Sequence, residues 1–277
     1  MSQRTITRRV RGVDTHDGAG VKLKRIIGQR DLDMLDPFLL LDEFRSDRAG
    51  DYIAGFPEHP HRGFETVTYM LAGHMRHGDN HGNQGDLGPG SVQWMTAGRG
   101  ILHSEMPQQE NGLMWGFQLW VNLPAADKMS APRYQDIAPE RIPHVQPAPG
   151  VEVRVIAGVL EEAVGPVQGV ATEPLYLDVS LAAGARFELD VPPQHHAFAY
   201  VFHGGTAQVG GDALARGELG VLSDGDTLTL ATGTSAARLL VVAGRPLKEA
   251  VARYGPFVMN TPAQIEEAIA DFRAGRF

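Results

Sequence analysis

Cysteine is absent from this 277-residue chain. Its absence excludes disulfide cross-links, a thiolate metal site and a cysteine nucleophile. No apolar run approaches the ~20 residues that a bilayer-spanning helix needs, although 43% of residues are hydrophobic. Positive charge is in deficit: 25 Lys and Arg against 33 Asp and Glu leave a net charge of −8. That balance argues against nucleic acid as a partner. The first thirty residues carry eight Lys and Arg but no apolar core, so no secretory signal is read there. These absences lead to the expectation of a cytoplasmic protein that engages neither nucleic acid nor membrane. Helical periodicity is scarce as well.

Glycine (33) and proline (18) are abundant, and turn residues punctuate strand-like runs every eight to twelve positions, the rhythm of a sandwich or barrel. Such runs include residues 65–71, 91–95, 116–122, 151–156, 175–181, 197–202 and 238–243. One helix is expected over residues 261–275. Thr261-Pro-Ala-Gln264 forms a capping box with Pro at its first position, and Ile265, Ala268, Ile269 and Phe272 then recur on one face. The length suits two domains. A stretch with six prolines, residues 123–150 (LPAADKMSAPRYQDIAPERIPHVQPAPG), reads as an extended connector. Gly85-Asp-Leu-Gly88 is echoed by Gly217-Glu-Leu-Gly220, and His61 with its following strand by His195 with its own. The expected architecture is therefore all-β, two similar domains over residues 1–135 and 136–277, the second ending in the helix.

More than half of the eleven histidines lie between 59 and 103. Two short motifs stand out, His59-Pro-His61 and His103-Ser-Glu105. On a strand, residues i and i+2 share a face, so each motif sets two metal-ligating groups side by side. Three imidazoles and a carboxylate suit a borderline divalent ion and leave positions open for a substrate. Spacing alone leaves satisfied core or surface histidines as the other reading.

Residues 55–69 (GFPEHPHRGFETVTY) and 93–107 (QWMTAGRGILHSEMP) closely resemble the pirin family within the cupin superfamily. So do Gly18-Ala-Gly-Val21, Pro132-Arg-Tyr-Gln-Asp136 and Gly255-Pro-Phe-Val-Met-Asn260, so the similarity runs along essentially the whole chain. The resemblance implies a bicupin, two antiparallel jelly-roll-type β-barrels, with one metal in the N-terminal barrel. Its ligands would be His59, His61, His103 and Glu105. Iron(II) is the metal implied first, with nickel, copper, manganese, cobalt or zinc also accommodated by such a set. In the C-terminal half His195 and His196 are adjacent and would point to opposite faces, and residues 231–235 (ATGTS) lack His and Glu. That half is expected to hold no metal.

Other polar residues receive plainer expectations. Glu65 shares parity with His59 and His61, but Arg62-Gly63 could bend the chain, leaving it a neighbour of the ligands. His74, His77 and His81 sit among Gly and Asn and are expected to be solvent-exposed. Arg99 is expected to anchor a tight turn, and Arg4, Arg8, Arg9 and Arg11 to lie on the solvated face of an edge strand. Some of Phe56, Phe64, Trp94, Trp115, Phe117 and Trp120 could line a planar pocket.

Two functions follow from the resemblance. One is a metal-dependent dioxygenase resembling quercetin 2,3-dioxygenases, which open the heterocyclic ring of a flavonol with O₂ and release carbon monoxide. Its substrates would be a small aromatic and O₂, with Glu105 taking the hydroxyl proton. The alternative is a non-catalytic, redox-responsive regulator binding a transcription factor or a metabolic enzyme. The chain is expected to act as a monomer. An open cavity at the metal favours the enzyme, and a sealed metal favours the regulator.

Overall fold

The computed structural model describes residues 2–277. The chain divides into two compact units. The first holds Val13–Met34, Phe38–Pro139 and Leu247–Phe277; the second holds residues 2–12, Leu35–Pro37 and Glu140–Pro246. Where a single cut at 135/136 was expected, the main division falls after Pro139, and the two ends of the chain are exchanged.

Each unit contains one seven-stranded and one four-stranded antiparallel sheet. In the first unit the large sheet runs in the order Arg133–Ile137, Val92–Thr96, Phe64–Ala72, Met114–Asn122, Phe38–Ser46, Val21–Ile27, Val13–Asp17. Its small sheet runs Phe56–His61, Ile101–Pro107, Met75–Asp79, Gln84–Leu87. The second unit repeats the plan. Its large sheet runs Ile6–Arg11, Glu218–Leu222, His196–Gly204, Ala237–Gly244, Leu175–Leu181, Val151–Ala157, His144–Ala148, and its small sheet Arg186–Asp190, Thr227–Thr232, Ala207–Val209, Asp212–Leu214. Position by position these are the same architecture, which is the duplication expected of a bicupin. The two sheets of a unit are separate ladders, however, and do not close into a continuous hydrogen-bonded barrel.

This matching corrects one detail of the repeat. The counterpart of the His59-Pro-His61 strand is Arg186–Asp190, whereas His195 and His196 sit at the start of the strand matching Phe64–Ala72. Between the sheets of the second unit lies an apolar core that includes Phe187, Leu189, Leu228, Leu230, Val201 and Val241. In the first unit one apolar cluster includes Phe44, Met70, Met75 and Leu87, and another, with Phe64 and Trp120, lies against His61.

The Pro-rich connector is not a free tether. Arg133–Ile137 completes the edge of one large sheet and His144–Ala148 that of the other. Within it Lys128 is buried, and its ammonium donates to the Gly63 carbonyl (2.8 Å), Asn122 Oδ1 (2.7 Å) and the Val258 carbonyl (3.0 Å).

At the other edge, Arg8, Arg9 and Arg11 are exposed on an edge strand as expected. Arg4 instead is fully buried and donates to the carbonyls of Pro192, His195, Ser223 and Gly225. The helix, Pro262–Arg273, carries the expected capping box. Ile265 and Ala268 pack against Phe257 and Met259, so the helix belongs to the first unit and not to the second. Phe272 remains partly exposed. No helix among the described residues is long and apolar enough to cross a membrane.

Candidate metal centre

The site forms between the sheets of the first unit. In the small sheet His103 pairs directly with His59, and Ile101 with His61. Directly opposed residues share a face, so register brings the two motifs together. The ligating atoms of His59, His61 and His103 lie within 4.8 Å of one another. The ring centroids are 4.4–4.8 Å apart.

These three side chains make an arrangement that protein contacts alone leave unsatisfied. His59 Nδ1 donates to the Pro57 carbonyl at 2.8 Å, which leaves the lone pair on Nε2. That Nε2 faces His61 Nε2 at 3.0 Å. His103 is 1% exposed, and neither ring nitrogen has a hydrogen-bond partner. Orphaned buried polar atoms cost about 1–3 kcal/mol each, and one cation bound by all three rings removes that cost. Burial, and secondly the neighbouring imidazoles, hold His61 and His103 well below the ordinary histidine range. They are therefore neutral at pH 7, the ligating form. The residues fit a divalent transition metal, and three protein ligands leave positions open to other molecules.

Glu105 lies outside this group of three. Between His103 and Glu105 the register with the His59 strand slips, so Glu105 opposes Phe56, as at a β-bulge. Its carboxylate is buried, with Oε1 accepting from Thr68 Oγ1 (2.8 Å) and Oε2 from Gln118 Nε2 (2.7 Å). Thr68 and Gln118 oppose each other on neighbouring strands of the large sheet. They therefore reach Glu105 from the same face.

Glu65 does not join the site. Gly63, at φ +87°, turns the chain from the small sheet into the large one, and a Cβ there would meet the Val258 carbonyl oxygen at 1.9 Å. After this turn the parity with His61 is lost. Glu65 lies on the face opposite Thr68 and accepts from Thr96 Oγ1 at 2.7 Å. Burial pushes its carboxyl up.

Of the loop histidines, His74 and His81 are exposed. His77 is fully buried, contrary to expectation: its strand pairs directly with Glu105, and its Nε2 lies 3.6 Å from Asp136 Oδ2. Arg99 is exposed, and its backbone N–H donates to the Ser130 carbonyl.

A cavity of about 520 Å³ opens onto the histidines, within the ~300–1,000 Å³ typical of ligand sites. His59, His61, Gln118, Trp120, Phe56 and Leu40 line it, joined by Arg25, Arg253, Asp17, Glu58 and Pro256. Trp120 is one of the anticipated aromatics, its ring 5.2 Å from His61 in an edge contact. Arg25 is fully engaged: Nε and one terminal nitrogen grip Asp42 at 3.0 and 2.8 Å, and that nitrogen also meets Asp17 at 2.7 Å. Burial nevertheless pushes Asp42 up to about 6. Gln118, Arg25 and Arg253 went unread in the sequence. Gln118 sits in a run that read only as a strand, Arg25 in a segment that was not read as one, and Arg253 lies at least 150 residues from the histidines. Only the Gly18 and Gly255-Pro256 motifs flagged those segments.

The Pirin family model matches residues 20–121, and that of the Pirin C-terminal cupin domain matches residues 176–277. A pirin-like protein of Caulobacter vibrioides is 50% identical over 278 residues, covering all of both chains. Human pirin is 43% identical, covering 98% of this chain and 93% of its own. A crystal structure of quercetin 2,3-dioxygenase from Acinetobacter baumannii superposes with a TM-score of 0.91 at 35% identity, covering 100% of this chain and 99% of that one. Similarity on this scale, spread over both halves and joined to a paired-sheet fold whose histidine cluster, among the described residues, lies in the first unit, makes the chain a member of the pirin family.

Proposed function

We propose that the protein is a metal-dependent dioxygenase acting on flavonol-like aromatics, with iron(II) as the first candidate metal at His59, His61 and His103. The observation that carries this reading is the cavity of about 520 Å³, lined by Phe56 and Trp120, that reaches two of the three histidines. A regulator whose metal only reports redox state has no need of a solvent-connected cavity of that size. The structural likeness to a quercetin 2,3-dioxygenase supports the same reading.

When bound, the metal supplies Lewis acidity and a redox-active site for O₂. The chain's own residues perform the remaining tasks. Trp120 and Phe56 give flat apolar surface against which a fused ring system is oriented, and orientation alone lowers a barrier substantially. Glu105 takes the substrate's hydroxyl proton, its carboxylate aimed by Thr68 and Gln118. Gln118 also lines the cavity and so connects Glu105 to the substrate. In a shift from this resting arrangement Glu105 also serves as the fourth ligand.

Elemental analysis of the purified protein, then anaerobic loading with single metals and a spectrophotometric assay with quercetin and O₂, tests the reading. Metal-dependent loss of the flavonol band with release of carbon monoxide is expected. One metal per chain without turnover under any loading would overturn the enzymatic reading in favour of a protein-binding role.

A further inference from the structure

Arg253 differs from the other cations around the cavity. Arg25 is neutralised by Asp42 and Asp17. Among the described residues Arg253 makes one hydrogen bond, from Nη1 to the Leu39 carbonyl at 3.2 Å, and forms no ion pair. A guanidinium has five N–H donors in a planar fork, so most of its donors remain available. The group is solvent-accessible and lies over the Trp120 ring, 5.0 Å from its centroid. That contact holds the fork in place without consuming its donors.

Trp120 in turn touches His61 at 5.2 Å between rings. All three side chains line the same cavity, with Trp120 in contact with both of the others. The two spacings together set the upper limit on the distance from the His61 ring to the guanidinium.

Asp33, Asp42 and Asp17 attract Arg253 from nearby, but none of them accepts a hydrogen bond from its guanidinium, so the fork itself stays unoccupied. Asp17 holds Arg25 through one oxygen and accepts the Gly18 N–H through the other. Glu58 is exposed at the rim, where water and salt screen it. A planar fork of unoccupied N–H donors matches the two oxygens of one carboxylate. Phosphate recognition would call for several converging donors.

Resting on the cavity being the substrate site, we infer that the preferred substrates are planar aromatic carboxylates, bound with their oxygenated ring toward the three histidines and their carboxylate in the Arg253 fork. Neutral flavonols then occupy the same cavity without that anchor. A bidentate Arg–carboxylate pair is short, directional and charge-assisted. Lysine, a point charge on a flexible stem, replaces it poorly.

The test is binding rather than turnover, so it stands apart from whether flavonols are cleaved. Zinc(II)-loaded protein under argon is titrated with 3-hydroxyflavone and with its 4′-carboxylate, following ligand fluorescence. The carboxylate is expected to bind at least about tenfold more tightly to the wild type. Arg253→Met should reduce that preference to less than about twofold, and Arg253→Lys should restore only part of it. Equal affinities in the wild type, a comparison that needs no variant, would overturn the inference. So would a preference that survives in Arg253→Met. Quercetin turnover without a carboxylate preference would retain the dioxygenase reading and discard this one.

Discussion

Gln118 donates from its amide to Glu105 Oε2 at 2.7 Å, while Thr68, its cross-strand partner, donates to Oε1 at 2.8 Å. Both oxygens of a buried carboxylate are thus held by the face of the large sheet. Glu105→Gln preserves shape and removes the proton acceptor. Its kcat for flavonol cleavage should fall about 10²-fold or more, with metal content unchanged by elemental analysis. A rate within threefold of wild type would remove Glu105 as the proton acceptor, and loss of metal would mean that the three histidines need its carboxylate to hold the ion at all.

The three-histidine group makes a sharper stoichiometric prediction. His61→Ala or His103→Ala should lower bound metal to near zero, whereas His195→Ala in the second unit should leave it intact. His195 is buried in a unit whose inter-sheet space is filled by apolar side chains. Full metal in His103→Ala would overturn the assignment. Circular dichroism of each variant checks that the fold survives.

Lys128 offers a pH signature. Burial lowers its ammonium to about 8 from an ordinary value near 10.5. Between those values the unfolded chain binds the proton that the folded chain has released, so stability rises with pH through this window. Lys128→Met lacks that increment and strands the Gly63 and Val258 carbonyls. It should be less stable by about 2–4 kcal/mol at pH 7, and the gap to wild type should widen from pH 8 to 10. Urea melts at a series of pH values measure both.

Arg4 closes the second unit by capping four carbonyls. Arg4→Met should lower stability by about 2–5 kcal/mol through orphaned buried acceptors, with metal stoichiometry unaffected. Loss of metal in this variant would contradict the separation of the two units.

How legible was this in the chain? The alternation of strands, the helix and the His-x-His pair were readable, because they depend on local period and on the shared face of residues i and i+2. Glu65 obeyed the same parity and misled, since the Gly63 turn moves the chain between sheets and parity does not cross it. His77 and Arg4 read as solvent-exposed because their neighbours are Gly, Asn and Arg. Their burial is decided by strands far away in sequence. Gln118, Trp120 and Arg253 converge only through sheet order, which short-range pattern does not encode. The domain boundary was misplaced at the ends for the same reason: Ile6–Arg11 pairs with Glu218–Leu222, and nothing in either segment names the other.

The exchanged ends also bear on how the protein is made. Ile6–Arg11 leaves the ribosome more than two hundred residues ahead of its partner strand, Glu218–Leu222. The histidine-bearing unit waits longer still, for Phe257–Met259 and the helix after it. Neither half can finish folding while the other is unsynthesised. A nascent chain must carry an unpaired basic strand until Glu218–Leu222 has been made, and a chain cut short anywhere between Glu140 and Leu222 leaves two incomplete units rather than one finished one.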